Sequence, residues 1–379
     1  MFSFIHSSDL HLGKRFGNFS GDLPGRLREA RHGVIARLAH HARAQGATTI
    51  VLAGDTFDSE TPAPEVRRQA LAEMRQQAPL QFVILPGNHD SLQAAPLWAL
   101  LKSEAPDNVI LAVEPRPVLL ADDVMLLPAP CTTRRAGRDL SAWMDEAATP
   151  QGMMRLGLAH GAIRSFSEDE MACDVIAPDR AQRAGLDYLA LGDWHGAIEV
   201  NARTRYSGTP EPDRFKHARP GEAVLVRLAG GSALPQVTAL PTADFTWSIL
   251  DFHLLDSDDP LPALKALLPA PGLRRQTLVR VMASGRCRLE ARVALTGALA
   301  HAAPEFALLD LDDTQLVSLG DARDLDQIDR AGALRDAANA LWAEAEDLNR
   351  SAAERSIARA ALTRLYSYAQ SVGAEAGTP

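Results

Sequence analysis

Five short clusters of Asp, Asn and His are the part of this sequence that could carry out chemistry. Carboxylate, amide oxygen and imidazole together suit a divalent ion such as Mn²⁺, Fe²⁺ or Zn²⁺. The absence of cysteine from these clusters disfavours a thiolate site. More than four ligands are available, so we expect two ions, roughly 3.5–4 Å apart, that share a carboxylate. The clusters are Asp9-Leu10-His11, Gly54-Asp55-Thr56-Phe57-Asp58, Gly87-Asn88-His89-Asp90, His160-Gly161 and Gly192-Asp193-Trp194-His195.

Each cluster directly follows a predicted strand. The strands are predicted at 2–7, 48–53, 81–85, 155–159 and 188–191. Helical patterns separate the first three, one between Pro24 and Gly46 and one over 63–78. Apolar runs that alternate with helices favour a buried, largely parallel sheet. Because ligands bind at the carboxyl ends of such strands, we expect all five clusters to meet at one rim. His6 lies within the first strand and is interpreted as a core residue.

The rest of the chain divides into further regions. A hairpin is predicted over 118–127, and edge strands over 222–228 and 236–240. A Gly/Ala/Pro-rich stretch then leads into a compact α+β pattern with strands at 247–255, 278–282 and 306–311 and helices at 261–268 and 288–301. Two Ala-rich amphipathic helices follow. We therefore predict domains over 1–243 and 244–320 and a helical segment over 321–373.

Composition narrows the class of protein. The 379 residues carry a net charge of −9, which excludes a generally basic nucleic-acid-coating protein but not a local basic groove. The three cysteines are odd in number and far apart, which argues against a disulfide framework and a structural zinc. The first residues do not form a signal peptide pattern, and no run of 18 apolar residues occurs. We expect a cytoplasmic protein without membrane spans.

The ordered clusters resemble the calcineurin-like metallophosphoesterases, whose pattern is DxH, GDxxD, GNHD/E, a later His and GHxH. The resemblance covers roughly residues 1–225. It implies an α/β fold, a β-sandwich flanked by helices, here followed by a smaller α+β capping domain and C-terminal helices. It also implies ligands for two divalent ions. Asp9, His11 and His195 would hold one ion, Asn88, His160 and Asp193 would hold the other, and Asp55 would bridge them.

The resemblance also implies catalytic roles near the third cluster. His89 would stabilise the transition state and protonate the leaving oxygen, work that suits a histidine of near-neutral pKa. Asp90 would orient His89 by accepting a ring N–H. Asp58 would support the metal site or contact the substrate.

The last motif departs from the family pattern, because Asp193 stands where the family usually has histidine. A carboxylate at this position still provides a metal ligand but adds a negative charge. The preference of the site should therefore shift toward Mn²⁺ or Mg²⁺. The alternative is that Asp193 only hydrogen-bonds to its neighbours and the second site is weakened.

Within this superfamily, three features are similar to SbcD-type DNA repair exonuclease subunits. They are the opening FIHSSDLHLGKRF, the segment RYSGTPE at 205–211, and an α+β unit over 246–318 where those proteins have a DNA-capping domain. This likeness implies a Mn²⁺-dependent DNA exo/endonuclease, an SMC-like (SbcC-type) ATPase partner docked on 322–371, and a homodimer through 63–103. The alternatives are a phosphohydrolase acting on a cyclic nucleotide, nucleotide or phosphoprotein, and a catalytically weak scaffold for the ATPase.

Basic residues flank the first and last motifs. We predict that they neutralise DNA phosphates, with an affinity that falls as salt rises. The alternative is a solvated loop with local ion pairs such as Arg214 with Glu211. The candidates are Lys14, Arg15, Arg205, Arg214 and Lys216.

Overall fold

The computed structural model describes residues 1–163, 175–216, 220–231, 233–319, 325–326, 328–329 and 332–376. The chain divides into two units, Met1–Trp247 and Ser248–Pro379. The predicted boundary at residues 320 and 321 lies outside the described residues.

The first unit contains a six-stranded sheet in the order β12-β11-β1-β2-β3-β4. Strands β1 to β4 are parallel, and β11 runs antiparallel to both β1 and β12. The prediction of two edge strands is therefore wrong for β11, which is paired on both sides. Its bounds and those of the others are β1 Phe2–Ser7, β2 Thr49–Leu52, β3 Gln81–Ile84, β4 Val109–Leu111, β11 Glu222–Leu228 and β12 Gln236–Pro241.

A second six-stranded sheet has the order β5-β6-β7-β8-β10-β9. Its four central strands are parallel, and the edge strands β5 and β9 are antiparallel to their neighbours. The pairing of β5 with β6 confirms the predicted hairpin. The bounds are β5 Val118–Ala121, β6 Val124–Ala129, β7 Met154–His160, β8 Tyr188–Gly192, β9 Ile198–Asn201 and β10 Thr204–Tyr206.

The two sheets pack face to face, and helices cover their outer faces. Apolar residues of both inner faces form one cluster, in which Val51 and Val83 meet Leu126 and Leu156. Burial of each such side chain stabilises the fold by roughly 1.5–3 kcal/mol. The helices are α1 Leu23–Ala44, α2 Pro64–Gln76 and α3 Ala95–Glu104 on the first sheet, and the short α4 Arg180–Arg183 on the second. This layered α/β sandwich is the fold expected from the motifs.

The second unit contains a three-stranded sheet in the order β13-β14-β15. Strands β14 and β15 are parallel and much longer than predicted, and they remain paired beyond the polar residues at which the apolar pattern stops. The strands are β13 Thr246–Leu254, β14 Thr277–Arg288 and β15 Leu308–Leu319, and helices α5 Pro260–Leu267 and α6 Leu289–Ala302 accompany them.

Two further helices, α7 Ala333–Glu346 and α8 Ala352–Ala376, complete this unit. Their apolar residues form a cluster with the first residue of α6, and its members include Leu289, Ala338, Leu362 and Tyr366. The C-terminal helices thus bury an apolar face within their own unit. Among the described residues, no helix combines the length and hydropathy needed to cross a bilayer.

Candidate metal centre

Four of the seven predicted ligands have an unusual backbone conformation at the ends of the parallel strands. Asp9, His11, Asp55 and Asp193 all have positive φ, at 55°, 43°, 52° and 99°. Left-handed backbone is uncommon for residues other than glycine and costs of order 1–3 kcal/mol each. The loops are held by cross-links, since the Asp9 N–H donates to the Gly54 carbonyl at 3.1 Å and the His11 N–H to the Asp55 carbonyl at 2.9 Å. The fold therefore tolerates local backbone strain at residues whose side chains converge on one site.

Two glycines allow the loops to approach closely. A Cβ on Gly87 would lie 2.2 Å from Oδ1 of Asp55, and a Cβ on Gly192 would lie 2.0 Å from the carbonyl oxygen of Ala53. Real Cβ atoms do not approach that near. The glycines of the GNHD and GDWH motifs are thus required by packing at the rim.

Asp9, His11 and His195 form the first ligand set. The two Nε2 atoms of the histidines lie 3.3 Å apart, and each lies 3.9 Å from Oδ1 of Asp9. Asp9 and His11 are buried, and the His195 side chain is nearly so. One ligand atom from each residue lies within 4.8 Å of the others, which is close enough to share a cation.

Asn88, His160 and Asp193 form the second set beside the first. Nε2 of His160 lies 3.7 Å from Oδ1 of Asp193, which accepts a hydrogen bond of 2.9 Å from the Asn88 amide. Asp55 links the sets, because its Oδ2 lies 3.5 Å from Nε2 of His160 and 3.8 Å from Nε2 of His11. The structure therefore brings all seven predicted ligands together, with Asp55 in the centre.

Three predicted ligands each have an electron-pair donor without a hydrogen-bond partner. Within the described residues, Oδ1 of Asp9, Oδ1 of Asn88 and Nε2 of His160 are buried and accept no hydrogen bond. Such atoms cost of order 1–3 kcal/mol each unless something satisfies them. His160 Nδ1 lies 2.8 Å from the Ala53 carbonyl, which can only accept, so Nδ1 carries a proton and Nε2 is left to bind a metal. The donor set fits two divalent ions.

The site has a strongly negative potential. Burial opposes a charge on His160, but the carboxylates of Asp55 and Asp9 outweigh it and raise its pKa well above the ordinary value. Burial likewise raises the pKa of Asp193. A potential that favours a proton on His160 also favours a cation beside it.

Two carboxylates lie behind the histidines of the first set. Oδ1 of Asp58 lies 3.3 Å from Nδ1 of His11, and Oδ1 of Asp213 lies 3.4 Å from Nδ1 of His195. A carboxylate behind a ligating histidine sets the ring orientation and increases its basicity. Sequence reasoning missed Asp213, for which the only signal was a carboxylate shortly after the last motif.

Arg31 is a second residue that sequence reasoning missed. Its guanidinium is buried and donates to the carbonyls of Leu10 and Glu211, at 2.5 and 2.6 Å. It therefore joins the loop of the first motif to the loop that carries Asp213. Its signal was an arginine on the apolar face of a helix, between Leu27 and Ile35.

The contacts of His89 and Asp90 differ from those predicted. The two carboxylate oxygens of Asp90 accept from the main-chain N–H groups of Phe57 and Gly87, at 3.0 and 2.7 Å. The prediction that Asp90 orients His89 is therefore wrong. Nδ1 of His89 instead lies 3.1 Å from the main-chain carbonyl of Asp58. Asp90 thus stabilises the GNHD turn. Burial, together with the nearby charge of Asp55, raises the pKa of Asp90 to about 7.

Residues 2–197 match the model of the calcineurin-like phosphoesterase family. The chain belongs to this family. The identification made from the motifs is thus confirmed, and the chain is a metal-dependent phosphoester hydrolase.

Individual proteins and structures are also similar to this phosphoesterase. The SbcD subunit of nuclease SbcCD from Rhodobacter capsulatus is 27% identical over 286 residues, which cover 62% of this chain and 69% of that protein. The crystal structure of TT1561 of Thermus thermophilus is 10% identical with a TM-score of 0.40, covering 64% of this chain and 99% of that one. A dimetal phosphatase from Danio rerio is 11% identical with a TM-score of 0.35, covering 62% and 98%.

Three of the five basic residues predicted to contact DNA form ion pairs within the phosphoesterase itself. Lys14 and Arg214 both form ion pairs with Asp213, at 2.7 and 3.0 Å. Arg205 pairs with Glu199 at 2.6 Å. The local pairing that we considered for this loop is therefore present, but with Asp213 rather than Glu211. The side chains of the other two candidates, Arg15 and Lys216, are exposed.

Proposed function

We propose that this phosphoesterase is a two-metal DNA exo/endonuclease that uses Mn²⁺ and acts in DNA repair. The observation that carries the proposal is its 27% identity, over 62% of the chain, to a nuclease subunit. Paired ligand sets joined by one carboxylate are an arrangement that supports phosphodiester hydrolysis by two metal ions. The opening motif and the RYSGTPE segment, which both lie at the rim, also favour a nuclease because they are similar to segments of SbcD-type subunits.

The ligand sets divide the work of holding the ions. Asp9, His11 and His195 would hold one ion, Asn88, His160 and Asp193 would hold the other, and Asp55 would be shared between them. When bound, two divalent ions supply Lewis-acid stabilisation of the phosphoryl oxygens and a more acidic water. The buried loops restrict the motion of these side chains, so little reorganisation is needed when substrate arrives.

His89 is the residue placed to move a proton. Because Nδ1 donates to the Asp58 carbonyl, its Nε2 is the nitrogen that can face the substrate. Its ring lies edge-on to that of His11, with centroids 4.9 Å apart, and so borders the first ligand set. A protonated His89 gives the Nε2 proton to the oxygen that leaves phosphorus.

The preference for Mn²⁺ rests on the types of donor atom. Asp9, Asp55, Asn88 and Asp193 provide oxygen, while only three histidines provide nitrogen. An oxygen-rich set suits Mn²⁺ or Mg²⁺ better than Zn²⁺, and Asp193 in place of histidine adds to this bias.

We also propose that the chain works as a subunit. Its relative is by name one subunit of the SbcCD nuclease. An SbcC-type, SMC-like ATPase is the proposed partner, docked through the helices within 322–371, and 63–103 is the proposed homodimer surface.

Cleavage of linear duplex DNA by the purified chain with Mn²⁺ tests the activity. We expect Asp55→Asn and His89→Ala to abolish cleavage while circular dichroism and melting temperature stay close to wild type. Asp122→Asn and His40→Ala, both on exposed side chains, are the matched controls. Hydrolysis of cyclic nucleotides or phosphopeptides without DNA cleavage would assign another phosphohydrolase function. Failure to bind Mn²⁺ in calorimetry would instead favour a scaffold.

A further inference from the structure

A cavity of about 330 Å³ opens beside the second ligand set. It lies within the first unit, and its size is at the lower end of ordinary ligand sites, which suits a single nucleotide unit. Asn88, His160 and Asp193 line it, and His89 also borders it. The loop that follows β6 lines the same cavity with three arginines: Arg134, Arg135 and Arg138.

These arginines differ from the basic residues that sequence reasoning selected. Their side chains are exposed, and among the described residues none of the three guanidinium groups forms an ion pair with a carboxylate. Lys14, Arg205 and Arg214, by contrast, already pair with carboxylates of their own chain. The positive charge available to a substrate at this side of the centre therefore comes from the 134–138 loop.

Part of the cavity lining is apolar. Ala129, Leu140 and Ile176 contribute to it, and Ala129 and Ile176 are buried. An apolar lining suits a sugar or a base, while guanidinium groups bind phosphate oxygens in a bidentate manner. A phosphate group joined to a sugar and base fits both features, whereas a simple inorganic phosphate uses only one.

We propose that Arg134, Arg135 and Arg138 form a phosphate subsite that binds the nucleic-acid backbone next to the scissile phosphodiester. This deepens the proposed nuclease function and rests on it. The subsite holds the strand on the Asn88–His160–Asp193 side of the centre, where His89 also borders the cavity. The three arginines act in binding and not in bond cleavage.

The variant R134Q/R135Q/R138Q tests the subsite with two substrates. With a duplex oligonucleotide and Mn²⁺, we expect KM to rise about tenfold or more because charged hydrogen bonds are lost. The slope of log affinity against log salt should become shallower by about 2 to 3, at roughly 0.9 per phosphate contact. Hydrolysis of bis(4-nitrophenyl) phosphate, which has no phosphate group besides the one that is cleaved, should stay within about twofold of wild type.

A control removes the same charge at the opposite end of the sheet. Arg43 and Arg75 lie in the last turns of α1 and α2, and Arg227 on β11 contacts Gln45 just after α1. R43Q/R75Q/R227Q should leave KM for DNA and the salt slope near wild type.

Each contrary result has a distinct meaning. Wild-type KM and salt slope in R134Q/R135Q/R138Q, or equal effects in the control, would show that the subsite is wrong while the nuclease function stands. Equal loss of activity on bis(4-nitrophenyl) phosphate would give the loop a structural role and also overturn the subsite. If the wild-type chain hydrolyses the small diester but neither binds nor cleaves DNA, the nuclease function and the subsite both fail.

Discussion

Oδ1 of Asp213 lies 3.4 Å from Nδ1 of His195, on the far side of the ring from the Nε2 that meets His11. Asp58 stands in the same relation to His11, at 3.3 Å. Lys14 lies between the two carboxylates, 2.7 Å from Asp213 and 3.9 Å from Asp58. Two carboxylates and one shared cation thus lie directly behind the first ligand set.

Replacing Asp213 should weaken metal binding without removing a ligand. Asp213→Asn keeps the shape of the side chain but no longer fixes His195 by charge, so we expect Mn²⁺ affinity at one of two sites to fall by about 10–100-fold. Titration calorimetry measures both sites directly. Asp107→Asn, on an exposed side chain, is the control. Unchanged affinity at both sites would contradict the positioning role.

Replacing Asp193 should change which metal is preferred. Asp193→His exchanges a charged oxygen for an imidazole, so we expect the ratio of Zn²⁺ to Mn²⁺ affinity to rise by about tenfold. Asp193→Asn keeps an oxygen and should weaken both metals without a comparable change in ratio. Competition titrations with the two ions measure this ratio. An equal ratio in all three proteins would mean that Asp193 only hydrogen-bonds to Asn88.

A methyl group at Gly87 should disrupt the centre by packing alone. The added Cβ would meet Oδ1 and the main-chain nitrogen of Asp55 at 2.2 and 2.3 Å. We expect Gly87→Ala to lower the free energy of unfolding by about 1–3 kcal/mol, the usual cost of overpacking, and to weaken Mn²⁺ binding. Chemical denaturation measures the first effect. Gly17→Ala is the control, because open space surrounds that position, and an equal loss there would contradict the explanation.

His6 should make the fold sensitive to acid. It is buried, with Nδ1 3.1 Å from the Tyr188 hydroxyl and Nε2 3.1 Å from the Leu191 carbonyl, and burial lowers its pKa to about 3. This agrees with its interpretation as a core residue. Between that value and the unfolded pKa of about 6.5, only the unfolded chain takes up the proton. The contribution of His6 is therefore fully present above pH of about 6.5 and declines as pH falls toward 3, by about 1.4 kcal/mol per pH unit.

Unfolding free energies measured against pH in a metal chelator check this prediction. His6→Gln cannot be protonated, so its stability should fall less steeply below pH of about 6.5 than that of the wild type. His40→Ala, on an exposed side chain, should keep the wild-type slope. Parallel curves for wild type and His6→Gln would contradict the assignment.

The strands that carry the ligands could be predicted because their signals are local. Apolar runs such as those of β1, β2 and β3 end at glycines and polar residues, and each end introduces one cluster. By contrast, the short strands β4, β9 and β10 were not predicted. The interior place of β11 depends on its pairing with β1 at the other end of the unit, which no local pattern contains.

The sequence by itself determined which candidate ligand residues follow each strand and in what order, because each cluster directly adjoins its strand in the chain. Only the tertiary structure decided which other residues lie around those candidates. Asp213 is behind His195, Arg31 reaches Glu211 across 180 residues of chain, and the 134–138 loop faces the second ligand set. The physical reason is that charge and hydrogen bonding act over a few ångströms in space, whatever the separation along the chain.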